Sequence, residues 1–126
     1  MTAPLAAADL IAFAPSTDLA RSRAFYEDVL GLPLTEASSF AVAFDAAGTQ
    51  LRVTAVEQRV AAPYTVLGWG VPDVAGAIRD LIARGVEFER YARMDQDADG
   101  VWQAPSGARI AWFKDPDGNV LSLTER

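Results

Sequence analysis

The chain repeats one short unit, and this repeat limits the folds that are open to it. The segment DLARSRAFYEDVLGLPL, from Asp18, resembles DVAGAIRDLIARGVEFE, from Asp73, at an offset of 55 residues. The segment AFDAAGTQLRVT, from Ala43, resembles FKDPDGNVLSLT, from Phe113, at an offset of 70 residues. The extra residues of the second copy fall in MDQDADGVWQAP. Two copies of one supersecondary unit therefore account for nearly the whole chain.

Each copy predicts a strand, a helix and three further strands. In the first copy Asp18 offers an N-cap oxygen and Gly31 ends the helix, while Asp73 and Gly85 do the same in the second. Strands are predicted near residues 9–14, 32–36, 39–44, 49–56, 64–71, 86–91, 108–114 and 119–125. We expect a single domain over 1–126, with module one at about 8–56, a linker at 57–63 and module two at about 64–126.

The turn DPDG, residues 115–118, sets the register of the last predicted hairpin. It places Trp112 opposite Ser122 and Phe113 opposite Leu121. Because opposed residues share a face, Phe113 and Leu121 should lie under the helix while Trp112 and Ser122 face away from it. Ile110, Val120 and Thr124 should accompany Trp112.

The same reasoning applied to the first copy places Leu51, Val53 and Ala43 under its helix. The residues predicted to face away from that helix are Phe40, Val42, Gln50, Arg52 and Thr54. By strand alternation Phe13 and Tyr64 should also face away from the helices, whereas Trp69 should point to the opposite face and pack under a helix.

Composition removes several kinds of chemistry. The chain has no cysteine and no histidine, so it has no thiolate nucleophile, no disulfide and no Ser-His pair. Its net charge of −6 and its lack of a basic run argue against nucleic acid or an anionic membrane as partner, and favour a cationic or neutral small molecule. No run is long enough to span a membrane. The N-terminal run APLAAADLIAF lacks a basic leader, so we expect a cytoplasmic protein.

The three segments DLARSRAFYEDVLGLPL, GWGVPDVAGAIRDLIARGVEF and AWFKDPDGNVLSLTE resemble the vicinal oxygen chelate superfamily, which includes glyoxalases, dioxygenases and bleomycin resistance proteins. The resemblance covers nearly the whole chain. It implies an α+β fold of two βαβββ modules forming a curled mixed sheet around a cavity, and a homodimer.

Members of this superfamily that use a metal place His or Glu at four inward strand positions. On this chain the resemblance puts those positions at Ile11, Arg52, Val66 and Ser122. Two aliphatic side chains, a cation and one hydroxyl are poor ligands for a divalent metal ion. We therefore expect no metal, no cofactor and none of the glyoxalase or dioxygenase chemistry that depends on a Lewis acid.

The resemblance then favours the metal-free, bleomycin-binding branch. It predicts a protein that sequesters an aromatic or amphipathic compound, with an antibiotic as one candidate, in an apolar cavity and without catalytic residues. The predicted ligand-binding residues are Phe13, Phe40, Val42, Arg52, Thr54, Tyr64, Val66, Trp102, Ile110, Trp112 and Ser122. Two alternatives stay open: a metal-free isomerase or lyase that uses Arg52 and Tyr64, and a non-catalytic accessory subunit.

Three features carry competing interpretations. Arg52 either binds a ligand carboxylate or forms a bridge to an internal acid, with Asp9 as the candidate, because a buried unpaired cation is costly. Trp102 lies in the inserted loop and is either a lid or a dimer contact. The segment DQDADG matches the opening of a calcium loop, but Ser106 stands where the closing Glu belongs, so a solvated acidic loop is favoured.

Overall fold

The computed structural model describes residues 4–126 and divides into two compact units. The first unit ends at Arg59 and the second begins at Val60, within the predicted linker. Each unit contains a strand, a helical segment and three further strands, and its strands form one four-stranded mixed sheet. The predicted α+β class is therefore confirmed. Ala3, the first residue of the apolar N-terminal run, lies outside the described residues.

The first unit begins with strand β1 and a capped helix. Its elements are β1 Ile11–Ser16, α1 Leu19–Ala24 with a π-helical continuation at Phe25–Val29, β2 Leu34–Ala37, β3 Ala41–Ala46 and β4 Thr49–Ala55. The Asp18 carboxylate accepts a hydrogen bond of 3.1 Å from the Arg21 amide and caps α1, as predicted. The sheet order is β1-β4-β3-β2, with β1 parallel to β4 and the other pairs antiparallel.

The core of the first unit lies between its helix and one face of the sheet. Tyr26 is fully buried and packs on Phe44, with ring centroids 5.8 Å apart. Leu51 is the registered partner of Phe44, and Val53 is the partner of Val42. All four sheet positions of this face are buried, which removes their apolar surface from water.

The predicted orientation of β3 in this unit is wrong. Val42 lies opposite Val53 on the buried, helix-facing side, and Ala43 lies opposite Arg52 on the other side. The reason is the turn between β3 and β4, in which only Ala47 and Gly48 separate the strands, with φ angles of 50° and 93°. In the second unit the Asp115 amide donates to the Asn119 carbonyl, so three residues, 116–118, form the turn there. The turn of the first unit is one residue shorter, and a one-residue shift moves every side chain to the other face.

The second unit comprises β5 Thr65–Gly70, α2 Val74–Ala83, β6 Trp102–Gln103, β7 Arg109–Lys114 and β8 Val120–Glu125. Its sheet order is β5-β8-β7-β6, with β5 parallel to β8. Asp73 caps α2 by accepting from the Gly76 amide at 3.0 Å, and Val74 and Ile78 form its buried stripe.

The last hairpin has the predicted register. Trp112 pairs with Ser122 and Phe113 pairs with Leu121, so the first pair faces away from α2 while Phe113 and Leu121 are buried. The Asp115 carboxylate accepts from the Asp117 and Asn119 amides at 2.9 and 3.0 Å and thereby fixes the turn. Trp69 pairs with Leu123 on the helix-facing side, as predicted.

The strand predicted at 86–91 does not form as such. Only Phe88 makes a bridge, to Phe113, after which the chain leaves the sheet and returns as β6. The inserted residues therefore interrupt the edge strand rather than follow it. No helix within residues 4–126 is long and apolar enough to cross a membrane.

Candidate functional site

The face of the second sheet that points away from α2 carries Trp112 and Ser122 side by side. Gly68 is the partner of Ser122 on the other neighbouring strand, so the three residues form one row across the sheet. A methyl group built on Gly68 would lie 2.8 Å from Ser122 Oγ. Gly68 thus leaves room for the Ser122 hydroxyl. Ser122 is only 7% exposed and lies beside the Trp112 indole on this face of the sheet.

Trp112 is held by polar and aromatic contacts. Its Nε1 donates a hydrogen bond of 3.1 Å to Thr65 Oγ1. The ring of Tyr91 meets it edge-on, with centroids 5.6 Å apart and planes at 80°. The Trp102 ring is 6.2 Å away. These contacts fix the orientation of the indole, which is a requirement for selective stacking.

Trp102 is not the exposed loop residue that the sequence suggested. It begins β6, pairs with Ile110 and is half-buried on the same face as Trp112. Trp102 and Ile110 therefore form the next row on the same face, which continues through Thr124 on β8.

An open pocket of about 390 Å³ lies in front of Trp112. Its size falls at the lower end of the range for small-molecule sites. The pocket is lined by Pro63, Tyr64, Thr65, Tyr91, Arg93, Met94, Trp112 and Val120. Of the predicted ligand-binding residues only Tyr64 and Trp112 line it. Sequence reasoning missed Tyr91, Arg93 and Met94, because the insertion carries no strand or helix pattern that would orient them.

The insertion is closed by the side chain of Gln96. Its Oε1 accepts from the Tyr91 amide at 2.7 Å, and its Nε2 donates to the Glu89 and Gly100 carbonyls at 3.1 and 2.8 Å. One amide therefore joins both arms of the loop. This closure keeps Tyr91 and its neighbours against Trp112.

The aspartates of DQDADG also serve the loop itself. Asp97 Oδ1 accepts from the Asp99 and Val101 amides, both at 2.9 Å, and its Oδ2 lies 3.9 Å from the Arg109 guanidinium. Asp95, Asp97 and Asp99 are all exposed. Across residues 4–126 no three His, Cys, Asp or Glu side chains are grouped as a metal site.

The surroundings of Tyr91 in the pocket change the pKa of its phenol. Burial raises the pKa of its phenol, the Glu89 carboxylate adds to this, and Lys114 opposes it. Its hydroxyl therefore keeps its proton throughout the neutral range and can donate a hydrogen bond.

The outward face of the first sheet is organised around Arg52. Its Nη1 lies 3.2 Å from Glu36 Oε2, and Glu36, Ala43 and Arg52 are registered in one row across three strands. The predicted bridge to an acid is present, but its partner is Glu36 rather than Asp9. Phe13 is the neighbour of Arg52 on β1 and is exposed.

The remaining predicted residues are distributed over both units. Phe40 is 75% exposed just before β3, whereas Val42 is buried beneath α1 and does not face outward. Thr54 lies on β4 and faces outward on the same side of the sheet as Arg52. Val66 is the extra residue of a bulge between Thr65 and Leu67. The structure therefore gathers Trp102, Ile110, Trp112 and Ser122 on one face of the second sheet but removes Val42 from the predicted set.

The four positions that the resemblance assigns to metal ligands do not suit a divalent cation. Ile11 and Val66 offer only carbon, and the Arg52 guanidinium is positive and paired with Glu36. Ser122 adds a single hydroxyl. The residues present do not fit the metal centre of the metal-using relatives.

The repeated βαβββ units and their mixed sheets define a class of small α+β proteins built from paired modules. Within that class, the model of the Glyoxalase/Bleomycin resistance protein/Dioxygenase superfamily matches residues 9–123. The chain belongs to this superfamily. No curated protein sequence matches it significantly.

Solved structures support the same fold. A superfamily member from Sphaerobacter thermophilus DSM 20745 is 25% identical, with a TM-score of 0.74 over 95% of this chain and 98% of its own. A bleomycin resistance determinant encoded on the transposon Tn5 is 20% identical, with a TM-score of 0.74 over 94% and 98%. A lactoylglutathione lyase from Agrobacterium tumefaciens is 19% identical, with a TM-score of 0.72 over 94% and 93%.

Proposed function

We propose that the chain is a metal-independent protein that binds a planar aromatic or amphipathic small molecule in the pocket in front of Trp112. The observation that carries the proposal is the ordered aromatic wall of this pocket, in which Trp112 is fixed by Thr65 and by Tyr91. Such a wall favours a flat ligand, since offset or edge-on ring contacts add about 0.5–1.5 kcal/mol to the burial of apolar surface.

The donor chemistry of the four metal positions supports binding rather than metal-dependent turnover. The fold is shared by resistance and lyase structures, so the fold by itself does not select between the two activities. The local residues do distinguish them, because a Lewis acid needs ligands that these positions lack. Binding without chemical change is the function that the pocket supports best. Homodimerisation, which the family resemblance implies, stays a prediction that light scattering can measure.

Binding is tested with a thermal-shift screen of planar aromatic compounds, followed by isothermal titration of those that raise the melting temperature. We expect stoichiometric binding and a compound whose mass is unchanged after prolonged incubation. The variant Trp112→Phe should weaken binding by about two- to tenfold, because it loses the larger ring and the hydrogen bond to Thr65.

The matched control is Trp69→Phe, which changes an indole on the opposite, helix-facing side of the same sheet. Its affinity should stay within twofold of the unmodified protein. Equal losses in both variants would contradict the pocket assignment. A change in the mass of the compound would favour an enzyme instead.

A further inference from the structure

The pocket in front of Trp112 has one charged lining residue. Arg93 lies in the insertion and lines the pocket beside Tyr91 and Met94. In the part of the chain that the structure describes, its guanidinium makes no ion pair or hydrogen bond. A planar guanidinium beside apolar and aromatic walls is suited to an anion that is itself attached to a ring.

The two charged side chains that act on Tyr91, Glu89 and Lys114, already have partners. Lys114 Nζ lies 3.3 Å from Glu89 Oε1, so each neutralises the other. The Arg90 guanidinium donates to the carbonyls of Asp97 and Ala98 and serves the loop. The charge that Arg93 presents to a ligand is therefore not offset by a neighbouring carboxylate on the pocket wall.

Two neutral hydroxyl groups add donors to the same wall. Thr65 Oγ1 accepts from Trp112 Nε1, which leaves the hydroxyl hydrogen of Thr65 to donate to a ligand. The Tyr91 hydroxyl keeps its proton at neutral pH because burial raises its pKa. Both side chains line the pocket. The wall thus offers a cation and two donors, a set that favours an oxyanion over an ammonium group.

We infer that the ligand of this pocket is an aromatic carboxylate, whose ring packs against Trp112 and whose carboxylate is held by Arg93. This inference rests on the proposed function and names its ligand class. It also differs from the expectation drawn from the net charge of −6, which favours a cationic or neutral ligand. The attraction of the carboxylate to one guanidinium in contact with it outweighs its repulsion by the distant negative charges of the protein, because such repulsion is screened beyond about 8 Å at physiological ionic strength.

The test uses three probes of equal ring size: 2-naphthoate, 2-naphthamide and 2-naphthylmethylammonium. Isothermal titration at 50 and 300 mM NaCl should show 2-naphthoate binding about five- to tenfold more tightly than 2-naphthamide at the lower salt, with a smaller ratio at the higher salt. The ammonium compound should bind most weakly.

Arg93→Gln should remove the preference for the carboxylate and leave the affinity for 2-naphthamide within twofold. The matched control is Arg79→Gln, which removes the same charge from the exposed surface of α2 in the same unit and should keep the preference.

Equal binding of carboxylate and amide, or tighter binding of the ammonium compound, would overturn the ligand class while leaving the aromatic pocket in place. Retention of the carboxylate preference in Arg93→Gln would overturn the role of Arg93. If none of the three probes binds, both this inference and the proposed aromatic pocket are wrong.

Discussion

The two units share one order of elements, but the outward faces of their sheets differ. In the first unit this face carries exposed Phe13 beside Arg52, which is paired with Glu36 of the edge strand. In the second unit the corresponding face carries Gly68 and Ser122, and the indole of Trp112 lies next to them. The repeat thus preserves the strands, and Thr54 and Thr124 at equivalent outward positions, while the neighbouring side chains that face away from the helix, such as Arg52 and Ser122, differ.

The edge strand is the source of the larger difference. In the first unit β2 is a single strand with one register shift between Leu34 and Glu36, whereas in the second its counterpart forms a single bridge at Phe88 and resumes at Trp102. The residues between these points supply Tyr91, Arg93 and Met94 to the pocket. An interruption of a sheet edge has therefore added pocket walls to one repeat without changing the strand order.

The strongest test of this comparison concerns the two cores. Leu51 and Leu121 occupy equivalent buried positions, 1% and 0% exposed, in β4 and β8. Replacement of either by Ala should lower the free energy of unfolding by about 2–5 kcal/mol, since each change removes buried methyl groups and leaves a cavity. Urea denaturation measures the loss. Leu5→Ala, at an exposed site, is the control, and a loss below about 1 kcal/mol in only one unit would break the equivalence of the cores.

A smaller effect is expected from opening the insertion. Gln96→Ala removes three hydrogen bonds that join the two arms of the loop, which should cost about 2 kcal/mol of stability and weaken the binding of an aromatic ligand. Hydrogen exchange of the Tyr91 amide should accelerate. Gln103→Ala, on the exposed part of β6, should do neither. Unchanged exchange at Tyr91 in the Gln96 variant would show that the loop is held by other contacts.

The smallest effect belongs to the outward face of the first unit. The side chains of Arg52 and Glu36 are 31% and 54% exposed, so solvent screens their ion pair. A double-mutant cycle with Glu36→Gln and Arg52→Gln should give a coupling free energy of about 0.2–1 kcal/mol that decreases with added salt. A salt-independent coupling above about 2 kcal/mol would mean that the pair is a buried element of the core.

The sequence predicted the second hairpin better than the first for a local reason. DPDG contains Pro and Gly at positions that select one turn, so the pairing of Trp112 with Ser122 follows from it. The first hairpin turns at Ala47 and Gly48, and an alanine with φ of 50° gives no sequence signal for a two-residue turn. The face of Val42 was mispredicted because the register of the second copy was carried over to the first.

The site was predictable only where it lies on regular strands. Trp112 and Ser122 were placed correctly by alternation, since strand residues point to alternate faces. Tyr91 and Arg93 lie in an irregular loop, and their positions depend on contacts between the Gln96 side chain and three backbone groups. Such contacts have no period in the sequence and cannot be read from it.

The insertion is anchored at Phe88 and again at Trp102, which both pair with residues of β7, so its interior can vary while the sheet stays fixed. Substitutions at positions such as Arg93 should change which compounds are accepted at little cost to folding. Drift in the thirteen codons for residues 89–101 could therefore give the protein a new ligand, and grafting of the segment between those anchors offers protein engineers the same route.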